Sequence, residues 1–253
     1  MLNEGSDLCA AHPVRCWRVQ SSQGDLPEDL IEAGRRGWFS RLEALDLSGW
    51  YSSIGELERF LLRSDFERLR ELDLTGRPGL DVLPEILERA PFREQLKVLR
   101  LSGHDHFEDP RLNAEELARA LGPSKLTNFS LSEGMLTTQD LRDLLLGDWV
   151  NSLTSLGLAN NVLTEEAVQV IAGCERLKQL RILDLSNNVG YPVANDDEGG
   201  INAEPLLISD AGFRALLESP HLANLVELNV AGLTFNESTR AALVARFGSR
   251  LRT

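Results

Sequence analysis

Leucines recur along the chain in a pattern that repeats about every 27 residues. Residues 153–161 and 180–188 carry the same arrangement, L-x-x-L-x-L-x-x-N. The first six positions of this arrangement, with Phe or Val at some of them, occur seven times, and a weaker copy precedes them. The copies begin at Val14, Leu42, Leu69, Leu96, Leu126, Leu153, Leu180 and Leu225. A sustained period of this length is typical of proteins built from stacked repeats.

Each leucine segment is followed by apolar residues at helical spacing. After the copy that begins at Leu42, for example, Ile54, Leu57 and Phe60 fall on one side of a predicted helix. Several predicted helices open with a residue that favours the N-cap position. These capping residues are Thr138, Thr164, Ser209 and Asn236. Each unit therefore predicts a short strand, a turn, a helix and a second turn.

Polar residues stand between the leucines of each predicted strand, as Asp46 and Ser48 do. Side chains alternate between the two faces of a strand, and a parallel strand covered on both faces would be apolar at nearly every position. One face must then be covered by helices while the other meets solvent. The pattern therefore favours an α/β solenoid over a doubly wound sheet or a closed barrel. We expect a horseshoe with a curved parallel sheet of about eight strands on the concave face and helices on the convex face.

On these residues the chain resembles the leucine-rich-repeat family. The period and the full helices resemble its ribonuclease-inhibitor-like subclass. Three phrases also resemble bacterial leucine-rich-repeat proteins that often carry a repeat-companion domain before the repeats. The phrases are AHPVRCWRVQ, ISDAGFRALLESPHLANLVELNV and ALVARFGSRLR. The similarity begins where the companion domain would be ending, so we expect that domain to be lacking. The family's asparagine after the strand stands only at Asn161 and Asn188.

The repeats predict one leucine-rich-repeat domain that spans residues 1–253. Within it we expect an N-terminal cap over 1–13, eight repeats over 14–235 and a C-terminal cap helix over 236–253. Caps are needed because a terminal repeat would otherwise expose its leucines. The long spacing before the last repeat predicts an inserted acidic loop over 189–206, since long irregular loops in compact domains are uncommon and often functional or disordered.

Composition narrows the possible partners. The formal net charge of -13 argues against unaided binding to nucleic acid or to an anionic membrane, because both require a basic face. It permits a protein partner of basic character. No apolar stretch reaches the length of a membrane span, and the N-terminus shows no signal-peptide pattern. We therefore expect a cytoplasmic protein, with a monomer favoured.

The sequence contains no recognisable catalytic motif, such as G-x-S-x-G, H-E-x-x-H or a phosphate-binding glycine loop. His104 and His106 could ligate a metal, but the sequence fixes no third ligand near them. The acidic stretch 195–200 does not match an EF-hand loop. The three scattered cysteines suggest neither a disulfide framework nor a zinc site. We expect no enzyme activity, no cofactor and no bound metal.

The polar strand face and the rim next to it are the predicted binding surface. Its candidate residues are Arg18, Asp46, Trp50, Tyr51, Glu71, Asp73, Arg100, His104, Asn128, Ser130, Asp184, Glu227 and Asn229. A column of small polar residues is expected to face solvent beside them, at Ser48, Thr75, Ser102, Ser132 and Ser186. The expected function is a noncatalytic scaffold that binds a protein partner. Two alternatives stay open: an inhibitor or immunity-type protein for a basic enzyme such as a nuclease, and a regulator that activates a small GTPase.

We expect Leu156→Ala or Leu183→Ala to lower the free energy of unfolding by about 2–5 kcal/mol, because each change leaves a cavity among buried side chains. Asp73→Ala or Asp184→Ala should scarcely change it, because these aspartates are predicted to face solvent. Chemical denaturation measures all four variants. If the aspartate variants unfold and the leucine variants do not, the two strand faces have been assigned the wrong way round.

Overall fold

A computed structural model describes residues 16–20, 34–49, 53–63, 65–76, 80–103, 112–122, 124–189 and 207–253. The chain divides into two compact units, Met1–Phe129 and Ser130–Thr253. In both units short strands alternate with helices, so the predicted α/β fold is confirmed. The predicted N-terminal cap over 1–13 and residues 190–206 of the predicted acidic loop lie outside the described residues.

The strands pair in parallel and in chain order within each unit. They are β1 (Cys16–Gln20), β2 (Ala44–Gly49), β3 (Glu71–Leu74), β4 (Val98–Ser102), β5 (Asn128–Ser132), β6 (Ser155–Gly157), β7 (Ile182–Asp184), β8 (Glu227–Asn229) and β9 (Leu251–Arg252). In the first unit β1 to β4 lie side by side, and in the second β6 to β9 do so. β5 begins at the end of the first unit and continues into the second. Each pairing joins equivalent residues of successive repeats.

The helices follow the strands as the apolar spacing predicted. Those described are α1 (Ile54–Arg63), α2 (Leu83–Arg89), α3 (Ala114–Leu121), α4 (Thr138–Leu145), α5 (Glu165–Gly173), α6 (Asp210–Glu218) and α7 (Glu237–Phe247). The predicted cap helix over 236–253 is therefore shorter than expected. It ends at Phe247, and the chain then forms a 3₁₀ turn and β9, a ninth strand among the described residues.

Side-chain caps begin four of the helices, and two of the four predicted capping residues, Ser209 and Asn236, are among them. Thr164 stands at the N-cap of α5 without a side-chain capping bond, and the cap at Asn113 was not predicted. Asn113, Ser209 and Asn236 each accept a hydrogen bond from a backbone N–H in the first turn of the following helix. At α4 the cap is Thr137, one residue before the predicted Thr138. Thr137 accepts from the backbone N–H of Asp140, whose carboxylate accepts in return from the backbone N–H of Thr137. This reciprocal pair fixes the start of α4.

The recurring aliphatic side chains form the core, as the pattern predicted. Leu156 and Leu183 are 2% and 0% exposed, and the equivalent leucines of the other described copies from Leu42 onward are buried as well. In the first unit the core also contains four stacked or edge-on phenylalanines, whose neighbouring ring centroids lie 5.4–6.0 Å apart. Helices therefore cover the leucine side of the strands in each unit.

The chain leaves several strands through a residue in the left-handed backbone region. Gly76 and Gly232 occupy it with φ of 76° and 75°, and Glu133, Asn160 and Asn187 occupy it with φ of 54°. Glycine and asparagine tolerate this conformation best, which explains why these types recur after the strands. At Gly232 a Cβ atom would also lie only 2.1 Å from Oδ1 of Asn187, so no larger residue fits without a shift.

Two buried asparagines hold the turns of the second unit together. Asn161 donates to the carbonyls of Leu131 and Leu158 and accepts from two backbone N–H groups, those of Gly134 and Leu136. Asn188 donates to the carbonyls of Leu158 and Leu185 and accepts from the N–H of Leu163. Each amide thus links its own turn to that of the preceding repeat. Buried backbone groups at these turns gain the partners that solvent would otherwise supply.

Asn188→Ala should lower the free energy of unfolding by about 3 kcal/mol or more, because the change leaves a buried N–H and buried carbonyls without partners. Asn224→Ala is the matched control. Asn224 is exposed and donates to a single carbonyl, that of Lys178, so its loss should cost about 1 kcal/mol or less. Urea denaturation compares the two variants with wild type. Equal costs would contradict the role given to Asn188.

Candidate functional site

The polar residues of the first unit line up across four strands. Arg18 lies opposite Asp46, Asp46 opposite Asp73, and Asp73 opposite Arg100. Neighbouring strands are about 4.8 Å apart, so the four side chains form one continuous row. Glu71 lies beside this row, on the same face of β3 as Asp73. We call these five residues the first strand face. Arg18, Glu71 and Arg100 are exposed, whereas Asp46 and Asp73 are half-buried.

One end of this row is a tightly bonded pair. The guanidinium Nε of Arg18 donates to Oδ2 of Asp46, whose Oδ1 accepts from both the backbone N–H and the hydroxyl of Ser48. Burial alone would raise the pKa of Asp46, but the hydrogen bonds from Ser48 and Arg18 outweigh burial and lower it. The hydrogen bond to Asp46 raises the pKa of Arg18 in turn. Asp46 is therefore a firmly ionised carboxylate with fixed neighbours.

The other end of the row is loosely paired. Nη1 of Arg100 lies 4.0 Å from a carboxylate oxygen of Glu71 and 3.9 Å from one of Asp73. Both distances are at the limit of an ion pair, and the side chains of Arg100 and Glu71 keep much of their exposure. Exposed pairs of this kind contribute little to stability. Arg100 and Glu71 can therefore exchange their mutual contacts for contacts with another molecule at little cost.

A second polar surface lies on the strands of the second unit. Asp184 lies opposite Asn229, which lies opposite Arg252. Asn229 donates to Oδ2 of Asp184 at 2.9 Å, and Arg252 donates to Glu227 at 2.8 Å. Ile182 stands beside Glu227 in the next row and is 39% exposed, which is unusual for an aliphatic residue in this chain. We call these five residues the second strand face.

The aspartates of both strand faces also stabilise the turns after their strands. Oδ1 of Asp73 accepts from the backbone N–H of Thr75, and Oδ1 of Asp184 accepts from the N–H and the hydroxyl of Ser186. With Ser48 and Asp46, the same contact occurs three times. The aspartates are thus part of the turn architecture, so the expectation that Asp73→Ala or Asp184→Ala scarcely changes stability is revised. Loss of these bonds should cost about 1–3 kcal/mol at Asp184 and about 1 kcal/mol at Asp73, which accepts one such bond.

The column of small polar residues beside the aspartates is less accessible than predicted. Ser102 and Ser186 are buried, and Ser48, Thr75 and Ser132 are half-buried. The hydroxyl of Ser102 accepts from the backbone N–H of Gly76 in the preceding repeat, and Ser186 is bonded to Asp184. These hydroxyls satisfy backbone and carboxylate groups, so the column belongs to the turns and offers little to a partner.

The remaining predicted residues fall in several places. Asn128 and Ser130 are half-buried on β5, and Oδ1 of Asn128 accepts from the hydroxyl of Thr127. Trp50, Tyr51 and His104 lie outside the described residues. Sequence reasoning missed Arg252, because the two-residue strand that holds it carries no leucine repeat. It also missed the turn contacts, although the recurring Asp-x-Ser or Asp-x-Thr after the strands was a readable signal.

Away from the strand faces, the helix side of the second unit contains an open depression of about 940 Å³. It lies between the C-terminal ends of α4 and α5 and the 3₁₀ turns that follow them, and its walls include Arg142, Arg176 and Lys178. Each of these cations already has an acidic neighbour, Glu166, Asp148 or Glu175 respectively. The depression contains none of the predicted binding residues.

Over the described ranges, no group of three or more His, Cys, Asp or Glu side chains is placed to hold a metal ion. His104 and His106 lie outside those ranges. None of the helices described above is long and apolar enough to cross a lipid bilayer.

No protein-family model and no curated protein matches the chain. Solved structures do match. A Bacteroides fragilis protein has 14% identity over 93% of this chain and 74% of that chain, with a TM-score of 0.50. A chain of the yeast Rad7–Elc1 complex has 15% identity over 86% of this chain and 57% of that chain, with a TM-score of 0.53. A chain of the TLR13–ssRNA13 complex has 18% identity over 87% of this chain and 26% of that chain, with a TM-score of 0.45. At these identities the likeness to the first two structures shows the fold alone.

The stability that Asp46 contributes should depend on pH. Its folded-state pKa is lowered relative to the unfolded chain, so the contribution is present above the unfolded value of about 4 and is lost as the pH falls through the folded value. The free energy of unfolding of wild type should exceed that of Asp46→Asn by about 1–2 kcal/mol near neutral pH, and the gap should narrow as the pH falls below the unfolded value. Urea denaturation at a series of pH values measures the gap.

Glu71→Gln is the control, because Glu71 is exposed and only weakly paired. Its stability should follow that of wild type closely at every pH. A gap between wild type and Asp46→Asn that stays constant on acidification would contradict the contribution assigned to the ionised carboxylate.

Proposed function

We propose that the chain is a noncatalytic scaffold that binds a protein partner through its strand faces. The observation that carries this proposal is the division of roles along the strands. Every described leucine of the repeat is buried on one side, while the other side presents Arg18, Glu71 and Arg100 to solvent. Charged side chains on hydrogen-bonded strands are well suited to recognition, because little backbone conformational entropy is lost on binding.

The charges of the first strand face favour a partner with basic groups. Its centre holds Asp46, Asp73 and Glu71, and an arginine stands at each end. A lysine or arginine of a partner could lie over the central carboxylates while an acidic group approaches Arg100. Complementarity of this kind fixes orientation and excludes partners with the wrong charge pattern. The overall charge of -13 would assist the approach of a basic protein.

The second strand face offers a different type of contact. Ile182 is exposed beside Glu227, and Gly157 on the neighbouring strand presents no side chain. An aliphatic group of a partner could pack on Ile182 above that gap, with polar contacts to Asn229 and Arg252 around it. An apolar centre within a polar rim is the usual composition of a protein interface.

The wider predictions belong to the same proposal. We propose a ribonuclease-inhibitor-like repeat protein that forms one domain, is cytoplasmic and monomeric, and uses Trp50, Tyr51 and His104 at the rim of its binding surface. The yeast neighbour is part of a two-protein complex, which lends general support to a role in assembly. That likeness covers 57% of the neighbouring chain and identifies no partner for this protein.

Charge exchange on the first strand face tests the proposal. The variant Glu71→Lys with Arg100→Glu alters two exposed residues and leaves the net charge unchanged. The control Glu88→Lys with Arg119→Glu reverses an exposed ion pair of 3.0 Å on the helix side in the same way. Affinity capture from native lysate with wild type and both variants identifies proteins that depend on the strand face. Each such protein is then purified and its affinity is measured by calorimetry.

We expect the strand-face variant to weaken binding of the captured partner by about tenfold or more, which corresponds to the loss of a central interface contact. The helix-side control should bind as wild type does. Binding to wild type should also weaken as salt is raised, because the contacts are between charges. A partner that binds both variants equally well would exclude the first strand face as its site.

A further inference from the structure

The edge at which the strands of the first unit begin carries a cluster of positive charges. Its members are Arg41, Arg68, Arg70, Lys97 and Lys125, which we call the basic edge. Arg41, Arg68 and Lys125 each stand three residues before a strand, directly before a buried leucine. Arg70 and Lys97 each stand one residue before a strand. All are exposed except Lys97, which is half-buried.

Backbone hydrogen bonds place these residues side by side. The N–H of Arg70 donates to the carbonyl of Glu43 at 2.8 Å, that of Lys97 to the carbonyl of Arg70 at 2.7 Å, and that of Thr127 to the carbonyl of Lys97 at 2.8 Å. Arg70 and Lys97 are therefore neighbours on one ladder, about 4.8 Å apart. The ammonium group of Lys97 reaches 3.3 Å from the carbonyl oxygen of Lys125 and so extends the cluster to the next connection.

The basic edge differs from Arg18, Arg89 and Arg119 of the same unit in its lack of ion pairs with the described carboxylates. On the helix side, Arg89 pairs with Glu58 at 2.7 Å and Arg119 with Glu88 at 3.0 Å. On the strand face, Arg18 pairs with Asp46. Over the ranges that the structure describes, none of the five residues of the basic edge forms an ion pair with a carboxylate. The charges at this edge are thus available to another molecule.

Among the described residues, the cluster forms no ion pair that would stabilise the fold. Like charges at neighbouring positions of adjacent strands are unfavourable for a sheet, and Arg70 and Lys97 stand at such positions. Carboxylates do occur nearby, at Glu43, Glu67 and Glu94, but they are fewer than the cations. In a protein of net charge -13, a local excess of positive charge without internal partners is most simply explained by a ligand of opposite charge.

We propose that the basic edge binds an acidic segment of a partner protein. A short acidic peptide fits the size of the cluster, which spans four successive connections and therefore about 14 Å. Nucleic acid fits less well, since a longer polyanion would extend beyond the cluster and meet the negative charge of the rest of the chain. This surface is separate from the first strand face, so its occupant need not be the partner of that face.

A labelled oligoglutamate peptide is the probe, and fluorescence anisotropy with the full chain at low salt is the measurement. The edge variant combines Arg68→Gln, Arg70→Gln and Lys125→Gln. The control combines Arg59→Gln, Arg89→Gln and Arg119→Gln, which removes the same number of charges from helix-side positions of the same unit. A labelled DNA duplex, measured in parallel, tests the alternative class of ligand.

Wild type should bind the peptide, the edge variant should bind it about tenfold or more weakly, and the control should stay within about twofold of wild type. The edge variant should keep a melting temperature close to that of wild type, because the three side chains are exposed and form no ion pair within the described part of the chain. Absence of peptide binding, equal weakening in both variants or tighter binding of DNA than of peptide would each overturn the proposal. The single variants R70Q and K125Q should each show part of the loss, which keeps the test decisive should the triple variant not fold.

Discussion

A single repeat of this chain is too short to enclose its own apolar side chains, and it buries them only against the neighbouring repeat. The described leucines of the repeat from Leu42 onward are almost fully inaccessible for this reason. The same dependence applies to the polar groups of the turns. The amides of Asn161 and Asn188 bond to carbonyls of their own repeat and of the one before it. Stacking therefore buries the apolar side chains and at the same time supplies hydrogen-bond partners to the backbone of the turns.

The stacking also creates the surfaces that a partner can meet. Because strands pair in parallel and in chain order within each unit, residues at equivalent positions of successive repeats become neighbours. A charge that recurs at one position of the repeat then becomes a row of charges. The first strand face and the basic edge both arise in this way. The two rows differ in their ion pairs. Arginines and carboxylates of the first strand face pair with one another, whereas the described residues of the basic edge form no ion pair with a carboxylate.

The strand faces combine structural and exposed residues within a few ångströms. Asp46 and Asp184 appear from the sequence to be surface residues, yet their carboxylates hold the turns that follow their strands. Glu71, Arg100 and Arg18 lie on strands next to that of Asp46 or that of Asp73 and contribute little to the turns. A loss of binding after replacement of one of the aspartates would therefore have two explanations, since the turn and the surface would change together. The exposed residues offer a cleaner separation of recognition from stability.

The sequence by itself determined which segments form strands and helices, and which side of each strand is buried. Both follow from local periodicities, two residues for a strand and 3.6 for a helix, and from a repeat of about 27 residues. Only the tertiary structure decided that Ser102 and Ser186 are buried, that the aspartates bind turns, that Arg252 joins the sheet and that the basic edge forms no ion pair with a carboxylate among the described residues. These properties depend on which groups of the adjacent repeat come within hydrogen-bonding or ion-pairing distance. These groups are far apart in the chain and come into contact only when the repeats stack. A local sequence pattern therefore cannot predict the distances between them.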